Sequence, residues 1–174
     1  MQQCLNGDAT AYGKLYMRYA KAMFNTALRI VNHYADAEDV LQESFTDAFA
    51  QLKNFQQKST FGAWLKQIVV YKSIHKIKKN NFFIDDDMDA LNEISDDDDN
   101  NDLCDIELTV QKIKNAMQQL PDGYRTVLSL YLLEGYDHEE IAEILQVARV
   151  TVRTQYARAK NKLLEILKTV DIYG

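Results

Sequence analysis

Residues 136–168, YDHEEIAEILQVARVTVRTQYARAKNKLLEILK, have the pattern of two helices joined by a tight turn. Asp137 followed by Glu140 predicts a capping box, so we expect a helix to begin at His138. Gln146-Val147-Ala148 interrupts the apolar periodicity, and a longer basic helix follows. The apolar residues of this second helix return to one face: Val152, Tyr156, Ala159 and Leu163. Such a layout is typical of a helix-turn-helix, whose second helix enters the major groove of DNA.

The second helix carries further residues beside its apolar face. They form two stripes: Arg149, Arg153 and Lys160 on one, and Val150, Thr154 and Arg158 on the next. An ordinary helical hairpin with a solvated basic face would show the same pattern. Both interpretations stay open until the rest of the chain is considered.

The charge of the chain is unevenly distributed. Its 174 residues carry a net charge of −6, which at first sight argues against a nucleic-acid partner. However, 12 of the 26 acidic residues and none of the 20 Lys and Arg lie between Asp85 and Glu107, so the other 151 residues carry a net charge of +6. The remainder of the chain is therefore basic. A single proline and six glycines interrupt helices rarely, and we expect an all-α protein.

The cysteines and the N-terminus exclude several classes of protein. Cys4 and Cys104 show neither CxxC spacing nor paired histidines nearby, so we expect no zinc site and no structural disulfide. The chain shows no signal peptide and no run of 18 apolar residues that would form a membrane helix. We therefore expect a cytoplasmic protein without direct membrane insertion.

Two amphipathic helices are predicted at the start of the chain. They span residues 9–32 and 35–53, with Asp8 and Asp36 as the expected N-caps. The polar side of the second helix carries Asp39, Gln42 and Glu43. This side is either merely solvated or a contact surface, and position alone does not decide between the two.

A third helix, from Ser59 or Thr60 to about Lys79, is both basic and aromatic. Residues 53–84 contain seven lysines and no acidic residue. The ring-bearing side chains among them are Phe55, Phe61, Trp64, Tyr71 and His75. Lysines that follow phosphates, together with aromatic faces that hold unstacked bases, suit single-stranded DNA. We interpret Phe61 and Trp64 as core residues, but an unbalanced lysine face repels itself unless an anion meets it.

The acidic segment divides the chain into two parts. Residues 80–107 are too acidic and too poor in apolar side chains to pack, so we expect a flexible linker. A calcium loop is the alternative, but an EF-hand needs ligands at alternating positions, a glycine at the sixth and a glutamate at the twelfth. Residues 96–101 have no glycine and none of that rhythm, so the linker is preferred.

Four helices are predicted after the linker. Residues 108–120 and 124–133 form the first two, separated by Pro121-Asp122-Gly123, and Gly135 is the expected C-cap of the second. The helix-turn-helix supplies the other two. We therefore predict an all-α protein with two small helical domains joined by a flexible acidic linker, the C-terminal one containing a helix-turn-helix.

Three segments resemble the extracytoplasmic-function subfamily of bacterial RNA polymerase sigma factors. DAEDVLQESFTDAF at residues 36–49 is similar to the helix that docks on the polymerase clamp. FQQKSTFGAWLKQIVVYKSIHKIKK at residues 55–79 is similar to the segment that melts the −10 element. LPDGYRTVLSLYLLEGYDHEEIAEIL at residues 120–145, with TVRTQYARAKNKL at residues 151–163, is similar to the domain that binds the −35 element. The segments match in the order found in the family, and together they cover nearly the whole chain apart from the linker.

The resemblance implies a function and its partners. Residues 1–80 would be sigma region 2, residues 81–107 the acidic linker, and residues 108–174 sigma region 4. The chain would bind core RNA polymerase through the clamp helices of the largest subunit, and promoter DNA. An anti-sigma factor is implied as a further partner. No cofactor, metal or catalytic residue is implied, because catalysis belongs to the polymerase.

The resemblance also implies roles for individual residues. Those for polymerase binding are Asp39, Gln42 and Glu43. Those for the −10 element are Asn54, Phe55, Lys58, Ser59, Lys66, Tyr71, Lys72, His75 and Lys76. Those for the −35 element are Arg149, Val150, Arg153, Thr154 and Arg158.

The turn of the helix-turn-helix departs from the family pattern. Gln146 stands where the family commonly has glycine, and a left-handed residue other than glycine costs on the order of 1 kcal/mol. Ala148-Arg149-Val150 replaces a frequent Ser-Glu-Gly, so a serine N-cap is lost and a base replaces an acid. We expect the −35 preference to differ from that of relatives. The usual family length also allows a few residues before Met1.

Three other functions compete with a sigma factor. A dimeric helix-turn-helix repressor would need a dimerisation or ligand domain, and the basic N-terminal part resembles neither. An enzyme would have to use the acidic run as a metal site, and the sequence shows no Ser/His/Asp set, Cys/His set or phosphate-binding glycine loop. A regulatory partner of polymerase would bind it without directing initiation.

Overall fold

The protein is described by a computed structural model that covers Cys4 and residues 9–56, 58–79 and 106–173. The predicted linker, apart from its last residues, and the expected cap Asp8 lie outside these residues. The described part is helical and contains no strand. Its helices are α1 (Ala9–Val31), α2 (Tyr34–Ala50), α3 (Phe61–Lys79), α4 (Ile106–Gln118), α5 (Asp122–Leu128), α6 (His138–Leu145) and α7 (Arg149–Tyr173).

The helices α1, α2 and α3 pack against one another and form an N-terminal unit. Its core includes Ala27, Val40, Phe45, Leu65 and Val69, all buried. The tyrosines of α1 are partly buried and pack against this core. Tyr12 lies edge-on to Phe49 with ring centroids 4.9 Å apart, and Tyr16 lies 4.7 Å from Phe45. Burial of these rings holds α1 and α2 together.

The helix starts of this unit differ in part from the sequence prediction. Asp36 was wrong as the cap of α2, which begins at Tyr34 and is capped by His33, whose Nδ1 accepts from the Asp36 amide at 3.4 Å. The early start of α2 follows from Asn32, whose left-handed φ of 52° turns the chain sharply just before His33. At α3, the hydroxyl of Thr60 accepts from the Ala63 amide at 3.2 Å, so Thr60 caps that helix as expected.

The helices α4 to α7 form a C-terminal unit. The helix α5 begins at Asp122 rather than Tyr124, because Pro121 takes the N-cap position and its carbonyl accepts from the Arg125 amide at 2.9 Å. After α5 the chain continues as one π-helical turn, Ser129–Leu133. Gly135 follows with a φ of 79°, which confirms the predicted glycine stop.

The two units pack directly against each other. One apolar cluster joins Ile30, Val70 and Ile74 of the N-terminal unit to Leu130 and Ile141 of the C-terminal unit. We call this contact the seam. The sequence did not predict it, since apolar periodicity shows which face of a helix is buried but not which element covers it.

Two further findings concern the described residues only. None of their helices is long and apolar enough to cross a membrane. In the same part of the chain, no group of three or more His, Cys, Asp or Glu is placed to hold a metal ion.

Candidate nucleic-acid interface

The turn between α6 and α7 fixes the geometry of the helix-turn-helix. The Asp137 carboxylate accepts from the amides of Glu139 at 2.7 Å and Glu140 at 2.9 Å, and Glu140 accepts from the Asp137 amide at 2.9 Å. This is the predicted capping box. Gln146 is left-handed, with φ 59° and ψ 44°, so the chain makes its turn at a residue other than glycine.

The pKa of Asp137 reflects its role as a cap. Hydrogen bonds from the Glu140 and Glu139 amides hold the pKa of this carboxyl below its ordinary value, and the nearby Arg149 adds to the effect. The ionised form therefore stabilises the start of α6, and with it the position of the turn.

The helix α7 presents its predicted DNA-facing residues on its outer side, while Val152 and Ala159 are buried. Val150 is 73% exposed. Arg149 and Arg153 are exposed, whereas Thr154 and Arg158 are half-buried. The Thr154 hydroxyl donates to the Val150 carbonyl at 3.0 Å. The structure thus brings all five predicted −35 residues to one helix.

An aromatic ridge lies where the N-terminal unit was predicted to hold a base. The rings of Phe55 and Trp64 lie 4.8 Å apart, and that of Phe61 lies 5.8 Å from Trp64. Phe61 is buried, as expected, but Phe55 and Trp64 are only half-buried and packed on the core. In the neighbouring loop and turn, Asn54, Lys58 and Ser59 are exposed. Aromatic and polar groups therefore meet at one open edge.

The lysines of α3 meet acidic residues of α2. Lys72 lies 2.8 Å from Asp47 and 3.4 Å from Glu43. Lys76 lies 2.9 Å from Asp39 and 3.1 Å from Asp36. We call these four acids the α2 acidic stripe. For Lys72 and Lys76 the expectation of an unbalanced lysine face was wrong, because α2 and α3 pack side by side and the stripe supplies the anions.

The pKa values of both lysines respond to these contacts. The hydrogen bond to Asp47 raises the pKa of Lys72 above its ordinary value, with further support from Glu43. The hydrogen bonds to Asp39 and then Asp36 raise the pKa of Lys76. Both lysines are therefore cations under all ordinary conditions, and each forms ion pairs with two acids of the stripe.

The residues predicted for polymerase binding lie on the same edge of α2. Asp39, Gln42 and Glu43 are exposed, and the side chains of Asp39 and Glu43 retain more than half of their accessible surface. Both of these acids also contact the lysines of α3. The predicted polymerase surface and the predicted −10 surface are therefore adjacent and share ion pairs.

The other predicted −10 residues are divided. Tyr71 and His75 are exposed on α3. Lys66 is half-buried and turned towards the C-terminal unit, where its Nζ donates to the Glu134 carbonyl at 2.7 Å and lies 5.2 Å from the centre of the Tyr136 ring. Lys66 is thus a predicted −10 residue that contacts the other unit.

Sequence reasoning missed several charged residues of this region: Arg29, Asp36 as a partner of Lys76, Asp47, Arg125, Glu134 and Glu139. A signal existed for the stripe, because Asp36, Asp39, Glu43 and Asp47 are spaced three, four and four residues apart on one helix face. Lys72 and Lys76, four apart, form a matching pair. For Glu139, which pairs with Arg149 across the turn, the helix-turn-helix geometry was the signal.

Two protein-family models match the chain in the same order as these units. "Sigma-70 region 2" matches residues 15–83, and "Sigma-70, region 4" matches residues 110–163. The first match contains most of the N-terminal unit and the second most of the C-terminal unit.

Curated relatives match over nearly the whole chain. The RNA polymerase sigma-H factor of Pseudomonas aeruginosa is 29% identical over 97% of this chain and 92% of its own. The ECF RNA polymerase sigma factor SigW of Bacillus subtilis is 27% identical over 97% of this chain and 95% of its own. The ECF RNA polymerase sigma-E factor of Escherichia coli is 29% identical over 94% of this chain and 90% of its own.

Solved structures share the fold. The sigma factor RpoE in complex with the anti-sigma factor NepR from Bartonella quintana matches with a TM-score of 0.58 and 23% identity, over 92% of this chain and 98% of that one. CnrH in complex with the cytosolic domain of CnrY matches with a TM-score of 0.55 and 23% identity, over 97% of this chain and 94% of that one.

Proposed function

This chain belongs to the extracytoplasmic-function subfamily of RNA polymerase sigma factors, and we propose from that premise which of its residues perform each step of initiation. Its function is to direct promoter-specific transcription initiation. The observation that carries this conclusion is the ordered match of regions 2 and 4, at residues 15–83 and 110–163. We propose that region 2 spans residues 1–80, the acidic linker residues 81–107, and region 4 residues 108–174.

Polymerase binding is assigned to Asp39, Gln42 and Glu43 on α2. Their exposure leaves them accessible to a second protein. Carboxylates and an amide suit a partner surface rich in arginine and lysine, which for this family is the pair of clamp helices of the largest subunit. Rim charges of this kind act mainly on the association rate and on specificity.

Opening of the −10 element is assigned to the aromatic ridge and to α3. A base outside the duplex would be held near Asn54, Phe55, Lys58 and Ser59, and stacking there would offset an unpairing cost of roughly a few kcal/mol. The strand would then follow Lys66, Tyr71, Lys72, His75 and Lys76. Lysine contacts with phosphates position the strand, and the held base supplies sequence preference.

Recognition of the −35 element is assigned to the outer side of α7. Arg149, Val150 and Arg153 are its most exposed members, so they are placed to meet base edges and the thymine methyl group in a major groove. Thr154 and Arg158 lie deeper and suit phosphate and groove-wall contacts. Arg149 and Val150 stand where relatives commonly have Glu and Gly. The −35 sequence that this chain prefers therefore differs from those that its relatives prefer.

Further partners and the location follow from this assignment. We propose that the chain acts in the cytoplasm, where polymerase and promoter DNA meet, and that the polymerase performs all catalysis. We also propose that an anti-sigma factor binds it. The fold shared with the sigma factor RpoE, which was solved with the anti-sigma factor NepR, supports this last point.

Run-off transcription tests the proposal. Core polymerase is incubated with genomic fragments in the presence and absence of this protein. We expect discrete transcripts that start at a small set of promoters only when the protein is present. No gain in promoter-specific transcripts, or tight binding of the free protein to duplex promoter DNA, would favour a regulator or a repressor instead.

A further inference from the structure

An ion pair crosses the turn of the helix-turn-helix. The Nη1 atom of Arg149, the first residue of α7, lies 2.5 Å from an oxygen of the Glu139 carboxylate in the first turn of α6. The two side chains are 57% and 64% exposed. The pair therefore joins the starts of two helices and remains open to a macromolecule that approaches the outer side of α7.

The start of α7 is an unfavourable place for a cation. Its first turn contains Arg149 and no acidic residue. The N-terminal end of a helix is the positive end of its dipole, so a cation there is disfavoured. Arg153, four residues further along the same helix, adds a like charge. Glu139 supplies the anion that the first turn of α7 lacks, and it holds the Arg149 side chain on the side of α6.

The position of the contact leaves one edge of the guanidinium for another partner. Glu139 approaches at Nη1, whereas the opposite edge is formed by Nε and Nη2. Two adjacent N–H donors match O6 and N7 of guanine, which is the commonest base-specific contact of arginine in a major groove. The N-terminal residues of a recognition helix are those that contact base edges, and Arg149 is the first of them in α7.

Ordering of Arg149 before it meets DNA affects how well it discriminates between bases. A free arginine side chain samples many rotamers and loses that freedom when it binds a base. A carboxylate that already holds the guanidinium reduces this loss. Exposed ion pairs are weak, so removal of Glu139 should reduce discrimination only a few-fold and should not abolish binding.

We propose that Glu139 is a positioning residue for promoter recognition, which holds the Arg149 guanidinium so that its free edge reads a guanine of the −35 element. The inference rests on the proposed function, because it takes the outer side of α7 to face that element. It goes beyond that function in naming the base that Arg149 reads and a residue outside α7 on which the reading depends.

Holoenzyme binding to a panel of promoters tests the proposal. One responsive promoter is varied to each of the four bases at every −35 position, and the affinity ratio of guanine to the best other base is measured. We expect one position at which the wild-type chain prefers guanine about tenfold and Arg149→Ala shows no preference. At that position Glu139→Gln should retain a preference of about threefold, and Glu139→Asp, which keeps the charge, an intermediate one.

Matched variants separate positioning from general charge effects. Glu143→Gln removes the same charge from another exposed position of α6 and should leave the guanine ratio at the wild-type value. Adding Glu139→Gln to Arg149→Ala should change the ratio no further. The proposal is overturned by an unchanged ratio in Glu139→Gln, by an equal loss in Glu143→Gln, or by the absence of any position where Arg149→Ala loses a guanine preference.

NMR of the free full-length chain measures the ordering of Arg149 without a promoter. The Nε–Hε signal of Arg149 is assigned by its disappearance in Arg149→Ala, and its heteronuclear NOE is then compared among variants. We expect a lower value in Glu139→Gln and the wild-type value in Glu143→Gln, and equal values in all three proteins would reject positioning. If wild-type holoenzyme produces no promoter-specific transcript, the proposed function fails. If it does and the ratio is unchanged in Glu139→Gln, only the role of Glu139 fails.

Discussion

At the scale of single residues, the turn of the helix-turn-helix depends on Gln146. Its φ of 59° lies in the left-handed region, where a residue with a Cβ atom is strained and glycine is not. The sequence identified this residue as a departure from the family pattern, and the structure shows that the backbone keeps the left-handed turn. The chain therefore accepts a local strain at the position that orients α7.

Replacing Gln146 with glycine should stabilise the protein. We expect Gln146→Gly to raise the free energy of unfolding by about 0.5–1 kcal/mol, because relief of left-handed strain exceeds the larger entropy of glycine in the unfolded chain. Urea titration followed by circular dichroism measures the change. Gln146→Ala retains Cβ and is the matched control without this gain. A glycine variant less stable than the wild type would contradict the strain argument.

The cap Asp137 predicts a pH dependence. Its folded-state pKa is lowered by the Glu140 and Glu139 amides, so its stabilisation is present above the unfolded value, about 4, and is lost as pH falls through the folded value. We expect Asp137→Asn to lower the melting temperature at neutral pH and to approach the wild type as pH falls through the folded pKa. A gap between the two proteins that does not narrow below pH 4 would be inconsistent with the ionised cap.

At the scale of elements, we propose that α7 combines phosphate and base contacts. We expect Arg158→Ala to reduce the slope of log affinity against log salt by about 1 when holoenzyme binds a promoter, because one phosphate contact is lost. Lys162→Ala, farther along α7, is the control and leaves the slope unchanged. An unaltered slope for Arg158→Ala would remove Arg158 from the phosphate-contacting set, and a change confined to one −35 sequence would assign it to base reading.

The helix α2 carries the proposed polymerase surface and also pairs with the lysines of α3. Asp39 and Glu43 were placed on the polar side of α2 by the sequence pattern and assigned to polymerase binding by the resemblance alone, whereas their contacts with Lys76 and Lys72 depend on how α2 packs on α3. Spacing along one helix is readable from sequence, whereas the pairing of two helices is a tertiary property. This is why the lysine face was expected to be unbalanced, whereas Lys72 and Lys76 in fact pair with acids of α2.

Charge reversal on α2 tests the polymerase assignment. We expect Glu43→Lys to weaken binding to core polymerase about tenfold, because a like charge then faces the basic clamp surface. Glu38→Lys, on the same helix and also exposed, is the matched control with a much smaller effect. Competition with wild-type protein for core polymerase gives both values. Equal losses for the two variants would attribute the effect to the total charge of α2 and not to Glu43.

At the scale of the whole molecule, the sequence predicted the parts but not their arrangement. Apolar periodicity located seven helices, and the capping box and Gly135 placed two boundaries correctly. The seam was not foreseen, because Arg125 and Glu134 contact Ile30 and Arg29, which are distant in sequence and belong to the other unit. Candidate residues on exposed faces were therefore predictable, while the contact between Lys66 and Glu134 was not.

The most direct test of two-point promoter reading is run-off transcription from one responsive promoter with altered spacing between its −35 and −10 elements. Inserting five base pairs rotates the elements by about half a helical turn and separates them by roughly 17 Å more. With core polymerase and this protein, we predict loss of the transcript after this insertion, and its loss when either element alone is replaced. Undiminished transcription from the insertion promoter would contradict the account, because units that read both elements on one polymerase would not tolerate that change.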